Sequence, residues 1–128
     1  MAERPMVKAK VQDGVVVLNV TYDDEEMLRP TAGEELRAAM LEKYDDLAKQ
    51  RPDCVVVLDT DQVGSPLVGA LFELYKRIIS RRGELRVAGY PPDYMELLNA
   101  LGVTRLRGFH LSSGGEAGAL AELNPSRP

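Results

Sequence analysis

The chain has 128 residues and a formal net charge of −4, which is the size of one ordinary domain and argues against a general binder of nucleic-acid phosphates. Hydrophobic residues at 45% and charged residues at 28% exclude a disordered or fibrous chain, and a single Cys excludes an intramolecular disulfide framework. No apolar run approaches the ~20 residues that span a bilayer, and the start MAERPMVKAK lacks the apolar stretch of a signal peptide, so a cytoplasmic protein without membrane contact is expected.

Val7 to Val11 and Val15 to Val20 flank Gln12-Asp13-Gly14, and an Asp-Gly pair between β-rich runs predicts a hairpin. Thr21 to Arg29 is acidic and unpatterned; its run Asp23 to Glu26 lacks the spaced ligands of a calcium loop and reads as solvated. Thr31 followed by Glu34 has capping-box spacing and predicts a helix to about Gln50, with Leu36, Met40, Leu41, Tyr44, Leu47 and Ala48 as its apolar stripe.

The stretch from Cys54 to Gly89 is the most informative. Cys54 to Leu58 is a continuous apolar run, the pattern of a strand covered on both faces in a parallel sheet. Ser65 as N-cap and Pro66 at the first helical position open a helix that places Leu67, Val68, Leu71, Phe72, Leu74, Tyr75, Ile78 and Ile79 at helical spacing. Gly83 stands where a left-handed terminal residue is expected, and Lys76, Arg77, Arg81 and Arg82 read as cations on the solvent face near the helix end. Glu84 to Ala88 is the next strand, predicted to lie parallel and adjacent to Val55 to Leu58. The loop Asp59 to Gly64 then sits at a strand's carboxyl end before a helix start, where open α/β sheets place binding sites.

Pro91-Pro92-Asp93 opens a short helix, Tyr94 to Leu101, with Tyr94, Leu97, Leu98 and Leu101 inward and Gly102 closing it. Arg107 to Leu111 is weakly strand-like. Ser112 to Gly115 reads as a flexible link to a last helical turn or two, Glu116 to Leu123, before a frayed tail.

Chemistry-bearing motifs are sparse. The chain has no HExxH, GxGxxG or GxxxxGK[ST] and one His, which leaves metal hydrolysis, dinucleotide binding and P-loop chemistry without support; no metal site and no cofactor is expected. Cys54 reads as a small buried hydrophobe and His110 as an ordinary strand-edge residue without an obvious partner. Asp59 and Asp61 could bind magnesium or act in phosphoryl chemistry, or they could cap turns and solubilise the loop; no later Lys, Thr or second acid completes an aspartyl-phosphate site.

Four fragments in fixed order, Leu58-Asp59, Gly64-Ser65-Pro66-Leu67-Val68-Gly69, Arg82-Gly83-Glu84-Leu85 and Leu97 to Leu106, resemble the STAS domain, the module of bacterial anti-sigma factor antagonists. The resemblance runs from about Val15 to Leu123. It implies one α/β domain over 1–128 with its core over about 7–123. The sheet is mixed and mostly parallel, in the order β-β-α-β-α-β-α-β-α, with helices packed largely on one side. It also implies a non-enzymatic regulator of transcription that binds a protein partner, a kinase-like anti-sigma factor. The contact surface would comprise Asp59, Thr60, Asp61, Gln62, Val63, Gly64, Ser65, Pro66 and Gly69.

Two departures qualify the resemblance. The loop after Asp59 is about three residues shorter than in typical members, which alters the partner-facing surface. The family's regulatory phosphate belongs on the second Ser of Asp-Ser-Ser-Gly, where this chain has Pro66, so Ser65 is left as the candidate phosphoacceptor and is also explained as a cap. The alternatives are a STAS scaffold or small-ligand sensor without a phospho-switch and an enzyme using Asp59 and Asp61. The reading expects no nucleic-acid partner and allows a weak homodimer.

Overall fold

The computed structural model describes residues 7–21, 31–59, 65–89, 92–102, 105–112 and 114–123. β1 (Val7–Gln12) and β2 (Val15–Thr21) pair antiparallel, with Val7 opposite Val20 and Gln12 opposite Val15. The intervening Asp13 and Gly14 have φ of 55° and 82°, the two positive values of the tight turn whose twist matches a hairpin. There follow α1 (Ala32–Leu47), β3 (Cys54–Asp59), α2 (Ser65–Ser80), β4 (Leu85–Ala88), α3 (Pro92–Leu101), β5 (Phe109–Leu111) and α4 (Gly115–Leu123). The strands lie in sequence order in one five-stranded sheet, and every neighbouring pair from β2 to β5 is parallel. The predicted pairing of the third and fourth strands is therefore borne out, with Val55 beside Arg86 and Val57 beside Ala88. The acidic stretch Asp23 to Glu26 lies outside the described residues.

Side-chain alternation divides the core in two. Val16, Leu18, Val20, Cys54, Val56, Leu58, Leu85 and Val87 face α1, α2 and Leu98 of α3. On the reverse face Val15, Val17, Val55 and Ala88 pack against Ala119, Leu120 and Leu123 of α4. Among the described residues three helices thus cover one side and one short helix covers the other. That is why the central strands read as unbroken apolar runs rather than as alternating ones.

Several local expectations change. Thr31 makes no side-chain cap; its hydroxyl bonds Glu35 instead, at 3.1 Å, and α1 ends at Leu47 in a turn rather than at Gln50. Phe72 and Leu101, read as inward, are 37% and 53% exposed. Glu73, Lys76, Arg77 and Ser80 mark the polar side of α2, with Phe72 on its border; the buried set, on the opposite side, is Leu67, Ala70, Leu71, Leu74 and Ile78. The basic cluster is partly structural: Arg77 pairs with Asp45 of α1 at 2.6 Å, and Arg81 reaches Asp45 at 3.4 Å while lying 5.3 Å from the centre of the Tyr44 ring.

The residue with left-handed backbone after α2 is Arg82 (φ 63°), not Gly83. The Gly83 N–H bonds the Ile78 carbonyl and the Arg82 N–H bonds the Ile79 carbonyl, both at 2.9 Å, which is the paired closure of a Schellman motif. Gly83 is needed for a different reason. A Cβ there would stand 2.6 Å from the Pro52 carbonyl oxygen. That same oxygen accepts a 2.6 Å hydrogen bond from the Tyr44 hydroxyl.

Two outcomes follow from this junction. Gly83→Ala, which has no flexible side chain to displace, is expected to lower unfolding stability by about 2 kcal/mol in urea titrations; an unchanged midpoint would contradict the close approach. Burial, with a smaller contribution from Cys54, pushes the Tyr44 hydroxyl up from 10.0 to about 12. The unfolded chain therefore loses this proton first, so the contribution is complete below pH 10 and is lost as pH rises towards 12. Tyr44→Phe should cost about 1 kcal/mol at neutral pH and flatten the alkaline fall in stability, and a variant with the wild-type alkaline slope would show that Tyr44 does not cause it.

Candidate functional site

The carboxyl ends of the parallel strands form the pole singled out by the sequence. Asp59 closes β3, is exposed, and stands in register with Thr21 at the end of β2. By alternation it shares a face with Val55 and Val57, the face covered further back by α4. Beside it the chain leaves β4 at Gly89 with φ 74°, where a Cβ would lie 2.6 Å from the Leu58 carbonyl oxygen. Glycine thus lets two adjacent strands end against each other without a side chain between them.

Thr60, Asp61, Gln62, Val63 and Gly64 lie outside the described residues, so the carboxylate pair read from the sequence is represented by Asp59 alone. Ser65 and Pro66 are the first two residues of α2, so Ser65 stands inside the helix rather than before it and Pro66 is its second residue, one place later than the sequence predicts; their side chains are likewise outside the description. Gly69 is exposed, with open space where a side chain would be. Phe72, three residues on and therefore on the same side of the helix, is exposed as well. Sequence reasoning missed Phe72 by assigning it to the core. The signal that could have found it is the polar group Glu73, Lys76 and Arg77, which marks the outer side of the helix and places Lys76 one turn beyond Phe72.

The side chains suited to nucleophilic or acid–base work lie elsewhere. Among the described residues no group of three or more His, Cys, Asp or Glu could hold a metal ion. His110 lies in register with Arg86, level with Val55, and its Nε2 is 2.9 Å from Glu84 Oε1; the partner that the sequence did not reveal comes from the segment just before β4. Cys54 is fully buried, and burial foremost, then the nearby Asp53 charge, pushes its thiol well above the ordinary range. In the folded protein Cys54 should give no reaction with a chromogenic disulfide reagent, and one thiol should appear on adding guanidinium; rapid native labelling would contradict this placement.

No family model matches the sequence, and no curated protein matches it. Solved structures do. One, assigned as an anti-sigma factor antagonist of Thermotoga maritima, has 16% identity and a TM-score of 0.72, covering 93% of this chain and 95% of that one. An anti-sigma-factor antagonist (STAS) domain protein from Planctomyces limnophilus has 18% identity and a TM-score of 0.68 over 91% of this chain and 97% of its own. The anti-sigma factor antagonist SpoIIAA in its unphosphorylated form has 15% identity and a TM-score of 0.64 over 92% and 97%. The order of elements, the antiparallel hairpin of β1 and β2 and the helix placement among the described residues are therefore those of the STAS fold.

Proposed function

We propose that this chain is a non-enzymatic binding module that acts as an anti-sigma factor antagonist in the cytoplasm. The observation that carries the reading is the fold it shares, over 93% of its length, with an assigned antagonist. The partner is a kinase-like anti-sigma factor, and holding it would free a sigma factor for transcription. The contact surface comprises Asp59, Thr60, Asp61, Gln62, Val63, Gly64, Ser65, Pro66 and Gly69, and the exposure of Phe72 extends it by one helical turn. A missing side chain at Gly69 beside an exposed aromatic ring gives a partner helix or loop a close approach with an apolar anchor. Pro66 in the usual acceptor position makes the module a constitutive binder.

Calorimetric titration against the anti-sigma factors of the same organism tests this directly. One of them should bind, and Gly69→Arg or Phe72→Ala should weaken that binding at least tenfold with little change in stability. Absence of binding to every such protein would refute the reading, and phosphoserine mapped to Ser65 in protein from its own cells would refute the constitutive form of it.

A further inference from the structure

At the opposite end of the parallel strands, the end of α2 and the 106–110 segment enclose an open cleft of about 810 Å3. Ile79, Leu106 and Phe109 supply its apolar lining, and Arg82 and Arg107 line it with positive charge. We propose that this cleft binds a small organic anion with an apolar body.

The volume is that of a small-molecule site, and the mixture of apolar wall and a few charged groups is the usual composition of one. The charge is unbalanced in one direction. Glu84 is the lining carboxylate, and it is already engaged by His110 at 2.9 Å and approached by Arg86 at 3.7 Å. Neither Arg82 nor Arg107 forms an ion pair with a described residue, in a chain whose net charge is −4. Attraction to the end of the α2 dipole accounts for a cation at Arg82 but not for one at Arg107, which comes from the segment before β5.

Backbone conformation adds a separate argument. Arg82 occupies the left-handed position after α2 (φ 63°), which a glycine would fill with less strain. Arginine at that point joins Arg107 in the lining of the cleft. The floor is firmly held: the Tyr75 hydroxyl bonds the Arg107 carbonyl at 2.6 Å, its ring meets Phe109 edge-on at 5.9 Å, and the Leu85 N–H bonds the Gly108 carbonyl at 2.7 Å. A ligand would therefore enter a site already formed.

Octanoate serves as the probe, with acetate as the head group alone and octan-1-ol as the uncharged body, each titrated into 15N-labelled protein. Octanoate should shift the amides of Gly83, Glu84, Gly108, Phe109 and His110 in a saturable way, at least tenfold tighter than either control. Arg82→Gln and Arg107→Gln should each weaken octanoate at least fivefold without changing the thermal midpoint. The proposal fails if no saturable shift occurs at these amides, if the shifts centre elsewhere, if octan-1-ol binds equally well, or if both arginine variants bind as the wild type does. Partner binding is read at the other pole, by other residues, so failure of either proposal is distinguishable from failure of the other.

Discussion

The backbone around Pro52 fixes the relation of three elements at once. Its carbonyl oxygen accepts the Tyr44 hydroxyl of α1 and is the atom that a side chain at residue 83 would strike, which brings the end of α2 within backbone contact of the segment leading into β3. The next residue, Asp53, accepts the Glu84 N–H at 2.9 Å through its side chain and holds Arg51 with the other oxygen, and the Cys54 N–H bonds the Glu84 carbonyl at 3.0 Å. β3 and β4 are therefore set in register where they begin. Hydrogen bonds that share Pro52, Asp53 and Glu84 in this way are coupled, so the junction behaves as a unit.

With that end fixed, the carboxyl ends of the same strands are left to carry variation. β3 runs from the junction through a doubly covered core and delivers Asp59 to the surface, five residues beyond Cys54. α2 returns along one face, held to α1 by Arg77, Arg81 and Asp45, and exposes Gly69 and Phe72 on its outer side. On the reverse face α4 is anchored by more than apolar contact: Glu122 accepts the buried Ser112 hydroxyl at 2.6 Å and meets Arg86 at 3.3 Å, while Arg51 reaches the Leu123 carbonyl. Arg86 Nε has no hydrogen-bond partner there, a local cost within an otherwise connected network.

Much of the fold was legible because its signals are local. Asp13-Gly14 specifies its own turn, and the apolar run from Cys54 to Leu58 can be satisfied only by cover on both faces. What could not be read depends on partners distant in sequence. The need for glycine at residue 83 arises from Pro52, not from helix termination. The contact of His110 with Glu84 is invisible until β4 and β5 are side by side. The candidate binding surface was legible as a place, the carboxyl end of a parallel strand before a helix start, because topology alone determines it. The cleft at the other pole was not legible, since its walls come from α2 and from the 106–110 segment, which no motif connects.

Native-state hydrogen exchange tests most directly whether the Pro52 junction holds the strands together. The amides of Gly83 and Cys54, bonded to the Ile78 and Glu84 carbonyls, should exchange with the same opening free energy as those of Val56 and Val87 in the central strands. Exchange of Gly83 and Cys54 through a local opening well below that of the central strands would contradict the account.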